Sequence, residues 1–227
     1  MKNIMENTIC TNNIEILFED ADILVINKPV GVLSEDSQKG EKGIITFLQN
    51  ENRKVLHLLH RLDREVGGVM VFAKHKKSAS ALSTDIANGK FYKSYLAVTD
   101  GVPQSDEGVY KDLLFKDSKK NRSFVVNRMR KGVREASLEY VILKKTEKNA
   151  LVRVLLHTGR THQIRVQFSS RKTPLTGDGR YGSRVRDCSI ALYSHKISFN
   201  HPRTKEQVEF VSNPDFNIYP WNLGDVT

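Results

Sequence analysis

No stretch of this 227-residue chain runs beyond eight residues without a polar side chain; the longest is Val66–Ala73. A membrane-crossing helix needs roughly 18 such residues, so none is expected, and the apolar side chains must be buried in short pieces. Ile23-Leu24-Val25-Ile26, ended by Asn27-Lys28-Pro29 and Gly31, reads as a buried strand and a turn. Further strands are expected at Val69–Ala73, Tyr92–Val98, Ser123–Asn127, Ala136–Leu143, Leu151–Leu156 and Ile190–Phe199. Helical spacing occurs over Lys76–Asn88, with Ala79, Leu82 and Ile86 on one face and Gly89 as the stop. A short helix fits Ile44–Asn50, and the polar, Gly-bounded Ser34–Gly43 is a loop. Strands outnumber helices, and no βαβ alternation appears. The expected fold class is α+β, with a mixed, mostly antiparallel β-sheet flanked by helices and loops. No repeat or Pro/Gly-rich linker divides the chain. Residues 20–215 are therefore expected to form one domain, between an N-terminal extension, 1–19, and a C-terminal tail, 216–227.

A chain of this length buries roughly 70% of its unfolded surface and needs no covalent staples. Cys10 and Cys188 are its only cysteines, and there is no CxxC, so neither a disulfide framework nor a thiolate zinc site is expected. The first ten residues lack the apolar segment of a secretory signal. A soluble, cytoplasmic protein is the expectation. Its formal charge is +10. Between Lys111 and Arg134 nine basic residues, among them Lys119, Lys120 and Arg122, face only Asp112 and Asp117, a local excess of +7. Lys148–Gly177 adds six basic residues and no acid. Such runs can be plain solvated surface, but two of them with hydrophobic segments between favour phosphate contacts and a nucleic-acid partner. No amphipathic basic helix with an aromatic face points to a membrane. The 111–134 stretch is expected to leave the domain as a finger-like loop.

Two segments carry chemistry. In His60-Arg61-Leu62-Asp63-Arg64-Glu65-Val66-Gly67-Gly68 a charged cluster runs into a double glycine and then a buried strand. Arg61 and Arg64 flank Asp63 and favour its carboxylate form, suited to a nucleophile. Gly67-Gly68 permits a close approach of backbone or substrate. By spacing alone, an aspartate capping a turn in a salt-bridged loop is the more economical reading. The second segment, Leu156-His157-Thr158-Gly159-Arg160-Thr161-His162-Gln163-Ile164-Arg165, reads as strand, turn and helix start, with Thr161 available as the cap. Ile164, Val166 and Phe168 alternate like a strand, while Ile164 and Phe168 alone fit a helix. Arg160, His162, Gln163 and Arg165 supply dense donors suited to phosphates or a carboxylate. No HExxH, P-loop or dinucleotide fingerprint occurs, so no metal site and no nucleotide cofactor is expected.

Taken together, these segments resemble the RluA family of RNA pseudouridine synthases. The matching motifs run in order over about residues 20–212: Asn27-Lys28-Pro29-Val30-Gly31, the HRLDR segment at 60–64 with VMVFAK after it, Lys93-Ser94-Tyr95-Leu96-Ala97-Val98, the TGRTHQIR segment at 158–165, Gly177-Asp178-Gly179-Arg180-Tyr181-Gly182, and His201-Pro202. The resemblance reverses the reading of Asp63. It implies the pseudouridine synthase fold and an enzyme that detaches the uracil of a uridine in RNA, rotates it and rejoins it through a ring carbon, without cofactor or metal. It further implies Asp63 as the nucleophile, Arg165 as its ionic partner, Tyr95 stacked on the target base with its hydroxyl near the ring carbon, and Arg61 filling the gap left by the flipped base. Lys28 would shape the pocket floor, though a turn lysine beside a proline is an equal reading. The chain departs from the family where Val66-Gly67 replaces the usual Thr-Ser.

The expected partner is structured ribosomal or transfer RNA, gripped without a separate binding domain, and the expected state is a monomer. A non-catalytic RNA-binding or RNA-chaperone module on the same fold is the alternative; it would have no reason to keep Asp63, Tyr95 and Arg165 together. An RNA glycosidase or nuclease would want a second carboxylate or a metal-ligand cluster near Asp63, and none is evident.

Overall fold

The apolar runs become strands because both faces of the sheet they form are covered. The computed structural model describes residues 14–50 and 55–223. Eleven strands are defined among them: β1 (Glu15–Glu19), β2 (Ile23–Lys28), β3 (His57–Leu58), β4 (Gly67–Ala73), β5 (Tyr92–Asp100), β6 (Glu107–Asp117), β7 (Arg122–Val126), β8 (Val133–Lys145), β9 (Asn149–Leu156), β10 (Leu192–Asn200) and β11 (Gln207–Val211). Three α-helices accompany them: α1 (Ile44–Asn50), α2 (Lys76–Ala87) and α3 (Gln163–Ser170). One sheet takes the order β1-β2-β4-β10-β5-β9-β8-β6-β7, with β11 paired to β10 and β3 to β4. Every pairing is antiparallel except β4 with β10. This is the α+β fold with a mixed sheet expected from the strand-rich pattern.

Alternate residues of β2 and β4 enter different cores. Leu24, Ile26, Met70 and Phe72 pack with Tyr95, Val154, Ile164 and Phe168 on one face. Ile23, Val25, Val69 and Val71 pack with Leu82 of α2, Phe91 and Phe199 on the other. A strand buried on both sides reads as a continuous apolar run. Gly67 and Gly68 make the β4–β10 pairing possible: Gly68 has φ +112, and a Cβ there would collide with the Ser194 backbone. A Cβ on Gly67 would lie 3.1 Å from the Lys28 carbonyl oxygen and 3.2 Å from the Tyr193 ring. The close approach expected of the double glycine is between two strands.

Several expectations need correction. The 111–134 stretch is not a loop; it forms the end of β6, all of β7 and the start of β8, continuous with the sheet. β6 escapes detection because charged residues interrupt it at Glu107, Lys111, Asp112, Lys116 and Asp117, and its backbone is satisfied by pairing with β8 and β7. Thr161 does not cap α3. His162 holds the cap position in the left-handed region at φ 54, with no side-chain cap bond. Of the supposed flanking segments, β1 already belongs to the sheet. Trp221 is buried with Leu96, Val98 and Tyr193. Residues 1–13 of the expected extension, including Cys10, and 224–227 of the expected tail lie outside the described residues. No helix among the described residues is long and apolar enough to cross a membrane.

Candidate active site

One cleft of about 390 Å³ draws its lining from the loop before β4 (Asp63, Val66), from β5 (Tyr95), from the end of β9 (Leu156), from α3 (Ile164) and from β10 (Leu192). The loop bearing Asp63 is fastened from below. Ser34 Oγ accepts from Leu62 N at 3.0 Å and donates to Leu62 O at 2.8 Å. Lys28 is fully buried, and its Nζ donates to the carbonyls of Pro29 (2.8 Å), Val32 (2.7 Å) and Arg64 (3.4 Å). Burial lowers its amine to about 7. Lys28 therefore does not reach the cleft as a substrate ligand; it is a strut between the β2 turn and the HRLDR segment.

Neither arginine flanking Asp63 pairs with it. Arg61 reaches out to Glu35 and Arg64 to Glu41. The counter-charge comes instead from α3: Arg165 Nη1 lies 2.7 Å from Asp63 Oδ2. The same guanidinium is braced from behind, with Nε 2.6 Å from Asp178 Oδ2 and Nη2 3.0 Å from Asp178 Oδ1. Side-chain exposure falls from 30% at Asp63 to 4% at Arg165 and 0% at Asp178, so the braced arginine presents Asp63 to the cleft from a dry interior. Burial acts to lower the Arg165 pKa, but the hydrogen bonds and charges of Asp178 and then Asp63 outweigh it and raise it. Asp178 carries no role by sequence spacing alone. The signal that could have found it is the Gly177–Gly182 motif, whose only carboxylate it is.

Tyr95 is buried, and Ser194 lies near its hydroxyl. Burial pushes that phenol up, with Asp63 adding to the rise, so Tyr95 keeps its proton throughout the neutral range. His162 places Nε2 3.6 Å from Asp63 Oδ2 and Nδ1 2.9 Å from the Tyr181 hydroxyl. Burial lowers its pKa, against the pull of Asp63. Gln163 stitches its own loop. Its Oε1 accepts from Thr158 Oγ1 at 2.7 Å and Arg160 N at 3.0 Å, and its Nε2 donates to Ser137 O at 3.0 Å. It orders the loop and is not presented as a free donor. Arg160 is exposed at the cleft, tied by Nε to Glu135 O at 2.9 Å.

The structure thus brings Arg61, Asp63, Tyr95, Arg160, His162, Gln163 and Arg165 to one cleft and leaves Lys28 beneath it. Lys119 and Lys120 are exposed in the β6–β7 turn. Arg122 does not project with them; its guanidinium lies over the rings of Phe124 and Tyr181, at 5.4 and 5.0 Å. Arg180 Nη1 donates to Lys120 O and Asn121 O at 3.3 and 3.2 Å, which pins the turn beside the Gly177–Gly182 segment. Among the described residues, Asp20, Asp22 and His201 are the one group whose ligand atoms converge, within 4.8 Å. Arg203 Nε already stands 2.5 Å from Asp22 Oδ2, and none of the three lines the cleft. The cluster is a poor seat for a cation, and its ion pairs tie the ends of β1, β2 and β10 together.

The RNA pseudouridylate synthase family model matches residues 22–170. The chain is 33% identical over 227 aligned residues to ribosomal large subunit pseudouridine synthase C of Buchnera aphidicola subsp. Schizaphis graminum, covering 94% of this chain and 69% of that protein. It is 32% identical over 206 residues to the uncharacterized RNA pseudouridine synthase YhcT of Bacillus subtilis, covering 86% and 67%. The solved structure of human RNA pseudouridylate synthase domain containing 4 superposes with a TM-score of 0.75 at 26% identity, covering 89% of each chain. The class is thereby defined: an RNA-modifying isomerase that converts uridine to pseudouridine. The chain belongs to the RNA pseudouridylate synthase family, and its relatives are of the RluA type.

Proposed function

We propose that this enzyme isomerises specific uridines of structured ribosomal or transfer RNA, acting as a cytoplasmic monomer, with Asp63 as its nucleophile and no cofactor. The observation that carries the reading is the Asp178–Arg165–Asp63 chain of charge, which ends on a partly exposed carboxylate in the cleft that Tyr95 also lines. Arginine aligned on a carboxylate fixes its orientation as well as its charge. The isomerisation is redox-neutral. The bond from the ribose anomeric carbon to ring nitrogen breaks, a bond from the same carbon to a ring carbon forms, and that carbon's proton is lost while the nitrogen gains one. Asp63 covers the detached fragment, whether it attacks the anomeric carbon, takes a ribose proton or adds to the ring. Tyr95, held protonated by burial, supports the base and stands at the ring-carbon proton transfer.

The base must leave the stack to reach this cleft. Arg61 and Arg160 at its mouth are suited to the vacated position and the flanking phosphates, and Lys119 and Lys120 to phosphates farther along the strand. Asp63→Asn removes the charge with little change of shape. The expected outcome is loss of tritium release from RNA labelled at uridine ring carbon five, with RNA binding retained. Appreciable release by the variant overturns the assignment. Mapping pseudouridines in cellular RNA with and without the protein identifies the target.

A further inference from the structure

Asp63 has two oxygens in unequal surroundings. Arg165 Nη1 and His162 Nε2 both approach Oδ2, at 2.7 and 3.6 Å, while Oδ1 has no partner among the described residues. The state of His162 decides what its Nε2 does there, and neighbouring hydrogen bonds decide that state. The backbone N–H of Ser123, in β7, donates to the Tyr181 hydroxyl oxygen at 2.8 Å. The Tyr181 O–H then has its own proton to place, and the acceptor within reach among the described residues is His162 Nδ1, at 2.9 Å. An Nδ1 that accepts leaves the proton of a neutral imidazole on Nε2.

We propose that His162 is a positioning residue locked as the neutral Nε2–H tautomer by the Ser123–Tyr181 relay, and that with Arg165 it commits Oδ2 of Asp63, leaving Oδ1 as the reacting oxygen. The inference rests on the reading of Asp63 as nucleophile and reassigns His162 from substrate contact to orientation of that nucleophile. His162 is placed for this by its left-handed backbone at the start of α3, which aims a buried side chain at Asp63 instead of along the helix. The charged groups around it are Asp63, Arg165 of α3, and Arg180 and Asp178 of the Gly177–Gly182 segment; the guanidinium groups of Arg122, in β7, and Arg165 both lie over the Tyr181 ring. Burial and the two nearest arginines favour the neutral ring, while Asp63 and Asp178 oppose them. The arrangement also ties the nucleophile to the β6–β7 hairpin through one backbone amide.

Two measurements test it. Long-range proton–nitrogen spectra of enzyme labelled with ¹⁵N histidine, assigned by His162→Gln, are expected to give His162 an Nε2–H, Nδ1-unprotonated ring at pH 7. An Nδ1–H tautomer or an imidazolium there overturns the proposal, and this readout does not depend on what Asp63 does. Tyr181→Phe keeps the ring under Arg122 and Arg165 but removes the O–H that opposes protonation of Nδ1. Its kcat is expected to fall roughly ten-fold, the scale of one hydrogen bond, with KM for RNA unchanged. The acid limb of its kcat profile is expected to move to higher pH. His162→Gln, whose terminal amide can stand near Nε2–H, is expected to retain more activity than His162→Leu. Unchanged kcat and an unmoved acid limb in Tyr181→Phe overturn the relay. Should Asp63→Asn remain active while the tautomer is as stated, the reading of the nucleophile has failed and the tautomer lock has not.

Discussion

Replacing Arg165 with methionine tests the charge chain at its centre. The substitution keeps much of the side-chain length and removes a guanidinium that makes two hydrogen bonds to Asp178 and one to Asp63. Asp178 is wholly buried, so it becomes an interior carboxylate with no counter-charge. Breaking a buried pair from one side costs about 3–5 kcal/mol. For a chain of this size each kcal/mol moves the melting temperature by roughly 2–4 °C, which gives a fall of roughly 6–20 °C. Turnover should drop as well, because Asp63 loses the donor that orients it. The two effects separate in the double variant with Asp178→Asn, which removes the stranded charge and keeps an oxygen for the Tyr181 amide. That protein should regain more than half of the lost stability and none of the turnover. Stability is read by urea unfolding followed through circular dichroism, and turnover by tritium release at temperatures where each protein is folded. A single variant as stable as the parent refutes the buried-pair argument. A double variant with parental turnover refutes the role of Arg165 in aligning Asp63.

Lys28→Met should lower stability, because three carbonyls lose a common donor, and should leave RNA affinity unchanged; weakened binding in a fully folded variant would return Lys28 to the substrate. Lys119→Ala with Lys120→Ala should weaken RNA binding and reduce the log–log salt slope by roughly 0.7–0.9 for each phosphate no longer neutralised, while turnover at saturating RNA holds; an unchanged slope would direct attention to the acid-free 148–177 region. Arg122 and Arg130 are left out of that test because both stack on aromatic rings, so their removal would disturb packing as well as charge. Tyr95→Phe should bind RNA normally and lose turnover, as measured by gel shift and tritium release on the same samples; parental turnover would remove the hydroxyl from the proton transfer.

The amino-acid order by itself determined the strands whose side chains are buried in alternation or on both faces. In β2 and β4 nearly every residue is apolar because two cores claim them, and that signal is local and strong. It also contained Asp63, Tyr95 and Arg165 in a recognisable motif order, and the glycines that let β10 lie against β4. What it could not decide was which charges meet. Arg61 and Arg64 sit beside Asp63 in the chain, yet they turn to Glu35 and Glu41, 26 and 23 residues away. The carboxylate is served by an arginine 102 residues distant, itself held by Asp178. Adjacent side chains on an extended loop point in different directions, and ion pairs form by distance in space, which only the assembled sheet and α3 establish. For the same reason the fully buried amine of Lys28 was invisible in a Lys-Pro turn. A lysine's surroundings, carbonyls or water, are set by what folds over it: here Val32 and the Arg64 backbone, brought in when β2 pairs with β4.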